Sequence, residues 1–214
     1  MKEDNTKIKT ERYSKNRVEN LSDGVFGFAM TLLVLNIVIP ESSIISSNAQ
    51  LWQAISGQER AFLSFTIAFF ILASMWSLHV RQFENLQKVD RRFVFINSIR
   101  LFIAILIAFS TGIASSYDSL ELARMILPIN LLLLAIVGTV QWHYAVYSKP
   151  PLLSGITEEE KRMHKIRAFI FILFSSITVV GSYFVGELAF LIFMLMPIAV
   201  RLTALKSLNN KHIE

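Results

Sequence analysis

Cysteine is absent from this chain of 214 residues, and charged residues make up only 17% of it. The lack of cysteine excludes disulfides, thiolate nucleophiles and cysteine-based zinc or iron–sulfur sites. An ordinary soluble domain carries about 25% charged residues. Few charges beside 53% hydrophobic residues exclude intrinsic disorder. Because so short a chain has too little interior to bury that much apolar surface, the composition predicts a protein surrounded by lipid bilayer.

Sequence patterns typical of soluble catalytic sites are missing as well. The four histidines form neither an HxxxH nor an HExxH pattern, and no GxGxxG, Walker A or GxSxG sequence is present. We therefore predict that the chain is not an enzyme and uses no cofactor. A net charge of +5 would suggest nucleic-acid binding in a soluble protein. Here the basic residues are better explained by membrane orientation, so no nucleic-acid partner is predicted.

Long apolar runs dominate the rest of the chain. Each is long enough to cross a hydrocarbon core of about 30 Å, and together they predict six spans at 21–39, 61–80, 93–114, 120–147, 168–185 and 188–205. The predicted fold is therefore an all-α polytopic membrane protein. Its parts are a polar N-terminal segment at 1–19, a six-helix membrane domain at 20–206 and a polar tail at 207–214.

The distribution of lysine and arginine between the spans predicts the orientation. The N-terminal segment, the 2–3 linker and the 4–5 linker carry 6, 4 and 5 of them, and the C-terminal end carries 3 when Arg201 and Lys206 are counted with the tail. The other three connections carry 1, 0 and 0. By the positive-inside rule, both termini and the basic linkers are cytoplasmic. Thr157 and Glu160 match a capping box, which predicts that the fifth helix begins ahead of its apolar run.

Several polar residues lie inside these spans, where each one is costly unless it has a partner. Ser22 and Asp23 either cap the first helix or belong to a buried polar cluster, whose candidate members are Arg17, Trp76, His79, Asn97 and Arg100. Arg100 lies deep enough in span three to need a partner, and the sequence leaves that partner open. Trp76 and His79 either anchor the membrane interface or form structural hydrogen bonds.

The first span also carries a recognisable motif. It reads Arg17-Val-Glu-Asn-Leu21-Ser22-Asp23, followed by a small–aromatic–apolar run and Thr31-Leu32-Leu33. This order resembles the Arg-x-x-x-Phe-Ser-Asp and Thr-Leu-Leu signature of the bacterial branch of the lysosomal-type potassium channels, the transmembrane protein 175 family. In this chain leucine replaces the phenylalanine of the motif. The resemblance continues through Trp76, His79, Val89-Asp90-Arg91-Arg92 and Asn97.

The resemblance implies a potassium-permeable cation channel, built as a homotetramer in which the first helix of each subunit lines a shared pore. It places the pore constriction at Phe28, Leu32 and Leu35, with Thr31 between them. The family commonly has isoleucine or leucine at the first of these positions, so the narrowest ring is either Phe28 or a leucine. The resemblance also implies a structural polar network that holds the pore helices, drawn from Arg17, Ser22, Asp23, Trp76, His79, Asn97 and Arg100.

Positions 28, 31, 32 and 35 fall on one face of a helix, and the chain has no Thr-Val-Gly-Tyr-Gly filter sequence. A ring of apolar side chains would select by dehydration cost, because a potassium ion passing transiently through the pore sheds water more easily than sodium. The same ring could close by dewetting. The alternative is a proton- or ion-coupled transporter working within one subunit, with Asp23, His79 or Arg100 as relay groups. A single six-span unit predicts a prokaryotic plasma membrane, since eukaryotic members are expected to carry two units.

Overall fold

The computed structural model describes residues 13–38, 40–153, 155–195, 198 and 201. This part of the chain is nearly all helical, which confirms the predicted fold class. The six α-helices are α1 (Lys15–Leu32), α2 (Asn48–Ser56), α3 (Glu59–Glu84), α4 (Arg91–Ser116), α5 (Glu121–Tyr147) and α6 (Glu158–Val185). Two 3-10 segments follow α1 and α6, at Leu33–Asn36 and Gly186–Leu195.

Five helices are long and apolar enough to cross a membrane within the described ranges, and they correspond to the first five predicted spans: Lys15–Asn36, Glu59–Glu84, Arg91–Ser116, Glu121–Tyr147 and Glu158–Val185. The predicted sixth span begins within the 3-10 segment Gly186–Leu195, and most of its remainder lies outside the described residues. Residues 1–12 of the predicted N-terminal segment and the whole predicted tail at 207–214 also lie outside them.

Local sequence signals explain where several helices begin. Thr157 accepts a hydrogen bond from the Glu160 backbone amide, and the Glu160 carboxylate accepts one from the Thr157 amide, so the predicted capping box is confirmed. Asp90 caps α4 by accepting from the Phe93 amide at 2.8 Å. The short helix α2 follows its N-cap Ser47 and lies in the connection between the first two predicted spans, where the sequence analysis predicted no helix.

The centre of the bundle is α4, which packs against α1, α3 and α5, while α6 packs against α5. One apolar core joins these helices in their middle. A second apolar core lies at the end of the bundle where the α3–α4 and α5–α6 connections meet. The Gln87 backbone amide of one connection donates a hydrogen bond to the Leu152 carbonyl of the other at 3.0 Å. We call this the basic end, since the predicted basic linkers lie there. The two connections thus share one side of the bundle, as the predicted orientation requires.

Much of the apolar surface remains outside these cores. On α4, for example, Phe95, Phe102 and Phe109 recur every seven residues and are 67%, 62% and 65% exposed. Exposed aromatic rings in such a row are unusual for a soluble monomer. They suit a helix bundle that meets lipid or neighbouring subunits.

Candidate functional site

An exposed stripe runs along α1 from Leu21, continues through the 3-10 extension and ends just beyond it at Val38. It consists of Leu21, Gly24, Phe28, Thr31, Leu35 and Val38, which alternate at spacings of three and four residues and are all exposed. Phe28 is 61% exposed and Leu35 is 72% exposed. A repeat of this kind keeps one straight face of a helix free over its full length.

The predicted constriction residues do not all lie on this face to the same extent. Phe28, Thr31 and Leu35 are fully on the exposed stripe, whereas Leu32 is half-buried at its edge. The reason is its place on the helix: at about 3.6 residues per turn, Leu32 lies between the exposed Phe28 on one side and the buried Ala29 and Leu33 on the other. Thr31 donates its hydroxyl hydrogen to the Phe28 carbonyl at 2.8 Å, so the lone pairs of its oxygen remain free.

The opposite face of α1 is packed against α3 and α4. Val18, Ser22, Phe26, Ala29 and Leu33 are buried there at helical spacing. Gly24 and Gly27 have no other atoms within 4 Å of the place where a Cβ would stand. One side of α1 is therefore fixed by its own subunit, and the other side is open.

The end of α1 farthest from the basic end is fixed by an asparagine that the sequence analysis did not single out. Asn36 Nδ2 donates to the Ala108 carbonyl of α4 at 3.0 Å. Its Oδ1 lies only 2.5 Å from where a Cβ on Gly112 would stand. Gly112 thus leaves the space that this anchor needs. The only sequence signal was a polar residue near the end of an apolar run.

A chain of buried hydrogen bonds connects three helices near the basic end. Asn97 Nδ2 donates to Ser22 Oγ at 2.9 Å, and Gln141 Nε2 donates to Asn97 Oδ1 at 2.9 Å. Ser22 Oγ in turn donates to the Val18 carbonyl of its own helix at 2.7 Å. All the side chains of this chain are buried. They tie α1 to α4 and α4 to α5 at a fixed height.

Arg100 completes this network and is 2% exposed. Its Nη1 lies 2.6 Å from Gln82 Oε1, 2.9 Å from Gln141 Oε1 and 3.2 Å from His79 Nδ1. Since a guanidinium only donates, His79 must carry its proton on Nε2 for the last bond to form. The partners left open by the sequence are thus two amides and an imidazole. Among the residues that the structure describes, no carboxylate forms an ion pair with Arg100.

Asp23 and Trp76 form a separate pair next to this network. Trp76 Nε1 donates to Asp23 Oδ1 at 2.9 Å, which joins α3 to α1. Of the two readings for Ser22 and Asp23, helix capping is wrong, because α1 begins at Lys15 and its N-cap is Ser14. Arg17 is exposed in the first turn of α1.

Of the predicted polar set, the structure therefore brings Ser22, His79, Asn97 and Arg100 into one buried network and Asp23 and Trp76 into a second contact. Gln82 and Gln141 were not predicted. A glutamine inside the predicted span 120–147 was a signal that could have found Gln141, whereas Gln82 lies just beyond the span 61–80 and had no such signal. No group of three or more histidine or acidic side chains able to hold a metal ion exists within the described part of the chain.

Comparison with known proteins follows the same helices. The family model described as endosomal/lysosomal potassium channel TMEM175 matches residues 17–107, the region of α1, α3 and most of α4. A potassium channel of Streptomyces collinus is 32% identical over 101 residues, which cover 47% of this chain and 48% of that protein. The chain thus matches about half the length of this relative. The human endosomal/lysosomal proton channel TMEM175 is 27% identical over 213 residues, covering 89% of this chain and 40% of the human protein.

Solved structures show the same fold. A crystal structure of a lysosomal potassium-selective channel TMEM175 homolog from Chamaesiphon minutus has a TM-score of 0.70 at 23% identity, covering 90% of this chain and 97% of that one. A crystal structure of a variant of the potassium channel MtTMEM175 has a TM-score of 0.61 at 18% identity, with 93% and 95% covered. A potassium channel of Chamaesiphon minutus is also 31% identical over 144 residues, covering 63% of this chain and 68% of that protein. On the length and identity of this match, the chain belongs to the TMEM175 family.

Proposed function

We propose that this chain forms a potassium-permeable channel, a homotetramer whose pore is lined by the exposed stripe of α1. The observation that carries the proposal is that stripe: Leu21, Gly24, Phe28, Thr31, Leu35 and Val38 lie open along one straight face while the opposite face is packed. Relatives named as potassium channels support the ion. Four copies of α1 facing a common axis would cover the stripe and leave a path between them.

In this proposal the apolar side chains act on hydration. Phe28 and Leu35 are separated by about 10 Å along the pore axis, and neither can replace the water that a passing cation loses. The Thr31 oxygen, whose hydrogen is already donated to the Phe28 carbonyl, offers lone pairs between the two rings. Potassium, with its lower dehydration cost, passes more easily than sodium, and dewetting of the same rings closes the path.

The buried network gives the pore helix a rigid support. Ser22 and Asn97 connect α1 to α4 on the basic side, and Asn36 holds its other end to α4. We propose that the channel domain is 20–206, with the segments 1–19 and 207–214 on the cytoplasmic side. The cell membrane of a prokaryote is the proposed location.

Reversal potentials test the ion preference. The purified protein is reconstituted into vesicles with potassium on one side and sodium on the other. We expect current that reverses toward the potassium equilibrium potential. A reversal potential near zero, which means equal permeability to the two ions, would contradict potassium selectivity. The absence of any current would contradict the channel itself.

The mass of the detergent-solubilised protein separates this channel from the coupled transporter. A shared pore requires about four times the subunit mass of 24.4 kDa, whereas a transporter working within one subunit requires no assembly. A monomer that still moves ions would favour the transporter.

A further inference from the structure

A cavity of about 1350 Å³ lies between α3 and the α5–α6 pair, and none of its described lining residues belongs to α1. It is larger than the roughly 300–1,000 Å³ usual for small-molecule pockets. Arg100 of α4 lies at its floor beside Gly138 of α5. The proposed channel mechanism makes no use of this cavity.

The wall of the cavity changes character along the helix axes. Toward the middle of the bundle it is lined by Phe70, Ala135, Phe171 and other apolar side chains, and toward the basic end by Arg81 and Arg167. Phe70 and Arg81 are 11 residues apart on α3, which corresponds to about 16 Å. That length is close to half of a hydrocarbon core of about 30 Å. The cavity therefore extends through about one leaflet, with its charged end at the membrane surface.

The charges at this end are mainly positive. Arg81, Arg167 and Arg201 line it, and the acidic side chains there are Glu159 and Glu160. The Glu160 carboxylate keeps its charge in the capping box of α6, so three arginines face two carboxylates. The remaining imbalance favours an anion at the mouth of the cavity.

The floor of the cavity points to the same chemistry. Arg100 is 2% exposed, and its hydrogen-bond partners are neutral. Its Nε is buried without a partner among the described residues. A buried guanidinium is normally paired with an anion, and here the available space next to it is the cavity.

We propose that this cavity binds an anionic phospholipid, with its phosphate at Arg81 and Arg167 and an acyl chain along Phe70 and Phe171. Phosphate is one of the anions that the planar donors of arginine bind through two parallel hydrogen bonds. Basic pockets between membrane helices on the cytoplasmic side recognise such headgroups. The apolar upper half distinguishes a lipid from a free phosphate, because a free anion would gain nothing from aromatic side chains.

Native mass spectrometry of the purified full-length protein tests this proposal. The protein is titrated with phosphatidylglycerol and with phosphatidylcholine of the same acyl chains, and bound lipid is counted per subunit. We expect phosphatidylglycerol to bind at least tenfold more tightly. Equal binding of the two lipids would overturn the proposal, as would displacement of phosphatidylglycerol by millimolar inorganic phosphate, which would identify a headgroup site without a chain site.

Variants locate the lipid. The double variant Arg81→Gln, Arg167→Gln removes two exposed charges from the cavity. Each basic residue near the membrane surface contributes roughly fivefold to the affinity for an anionic lipid. The affinity for phosphatidylglycerol should therefore fall roughly 25-fold. The control, Arg91→Gln with Arg92→Gln, removes two exposed charges from the same end but outside the cavity, and should leave affinity within about twofold. An equal loss in both pairs would overturn the proposal.

A second variant tests the chain-binding half. Ser74 is exposed on α3, lines the cavity and bonds only to its own helix carbonyl at Phe70. Ser74→Trp should fill the apolar half and abolish phosphatidylglycerol binding, although every arginine is intact. Unchanged binding in this variant would overturn the proposal. Because all these readouts measure lipid, they are independent of whether the protein conducts potassium.

Discussion

Gln141 provides the sharpest test of the buried network. It is 1% exposed, its Oε1 accepts from Arg100 and its Nε2 donates to Asn97, each at 2.9 Å. Gln141→Met keeps the shape of the side chain and removes both bonds. Asn97→Leu removes the other end of one bond and also the donor to Ser22.

The magnitude follows from the type of each bond. A hydrogen bond to a charged group contributes about 1.5–3 kcal/mol, and a neutral one inside a membrane about 0.6 kcal/mol. We therefore expect Gln141→Met to lower the free energy of unfolding by about 2–3 kcal/mol, mainly through Arg100. Asn97→Leu, which loses only neutral bonds, should cost about 1–2 kcal/mol.

The double variant should lose less free energy of unfolding than the sum of the two single losses. Each single variant leaves the other residue with an unsatisfied buried group, whereas the double variant removes both groups. The expected coupling is about 0.6–1.7 kcal/mol. It is measured by denaturant titration of the four proteins in detergent. Additivity within about 0.3 kcal/mol would refute the bond between Gln141 and Asn97.

Three further predictions concern α1 and its supports. Gly112→Ala should lower the free energy of unfolding by about 1–2 kcal/mol, because the new methyl group displaces the Asn36 amide that anchors α1. Gly27→Ala is the control and should not lower it, because its methyl group would enter open space. Equal losses in the two variants, measured by thermal unfolding, would contradict this. Trp76→Phe and Asp23→Ala should reduce the yield of tetramer, measured by light scattering, to the same extent, because each removes the same hydrogen bond. The double variant should reduce the yield no further. Unequal effects of the two single variants would exclude that bond as the cause. Leu35→Asn should lower the permeability ratio of potassium to sodium severalfold, because a ring of polar side chains replaces part of the hydration that the ion loses. Reversal potentials measure this ratio, and an unchanged value would count against the hydrophobic constriction.

Much of the fold was predictable from the sequence, because length and hydropathy alone determine which segments can cross a membrane. The apolar runs predicted the first five spans, and the capping box was legible because Thr157 and Glu160 are three residues apart. The helix α2 was missed because it is only nine residues long and lies among serines, asparagines and glutamines, although Leu51 and Ile55 are at helical spacing within it.

The site was less predictable, since it depends on how helices rotate against one another. Gln141 reaches Arg100 across 41 residues of sequence, and no local pattern encodes that contact. In an all-apolar helix every set of residues at helical spacing is apolar, so periodicity alone could not select the stripe through Phe28 and Leu35. The resemblance around Asp23 named Phe28, Leu32 and Leu35. The packing of α1 leaves the first and last of these exposed and Leu32 half-buried, a difference that only the packing of the helices shows.

Cysteine accessibility tests the central claim most directly, and the absence of native cysteine makes every introduced thiol unique. Phe28→Cys on α1 and Phe102→Cys on α4 form a matched pair, since the two phenylalanines are 61% and 62% exposed. Each variant is reconstituted and treated from both sides with a small cationic thiol reagent while potassium current is recorded. The account predicts block at Phe28→Cys and unchanged current at Phe102→Cys. Unchanged current at Phe28→Cys, or block only at Phe102→Cys, would contradict a pore lined by α1.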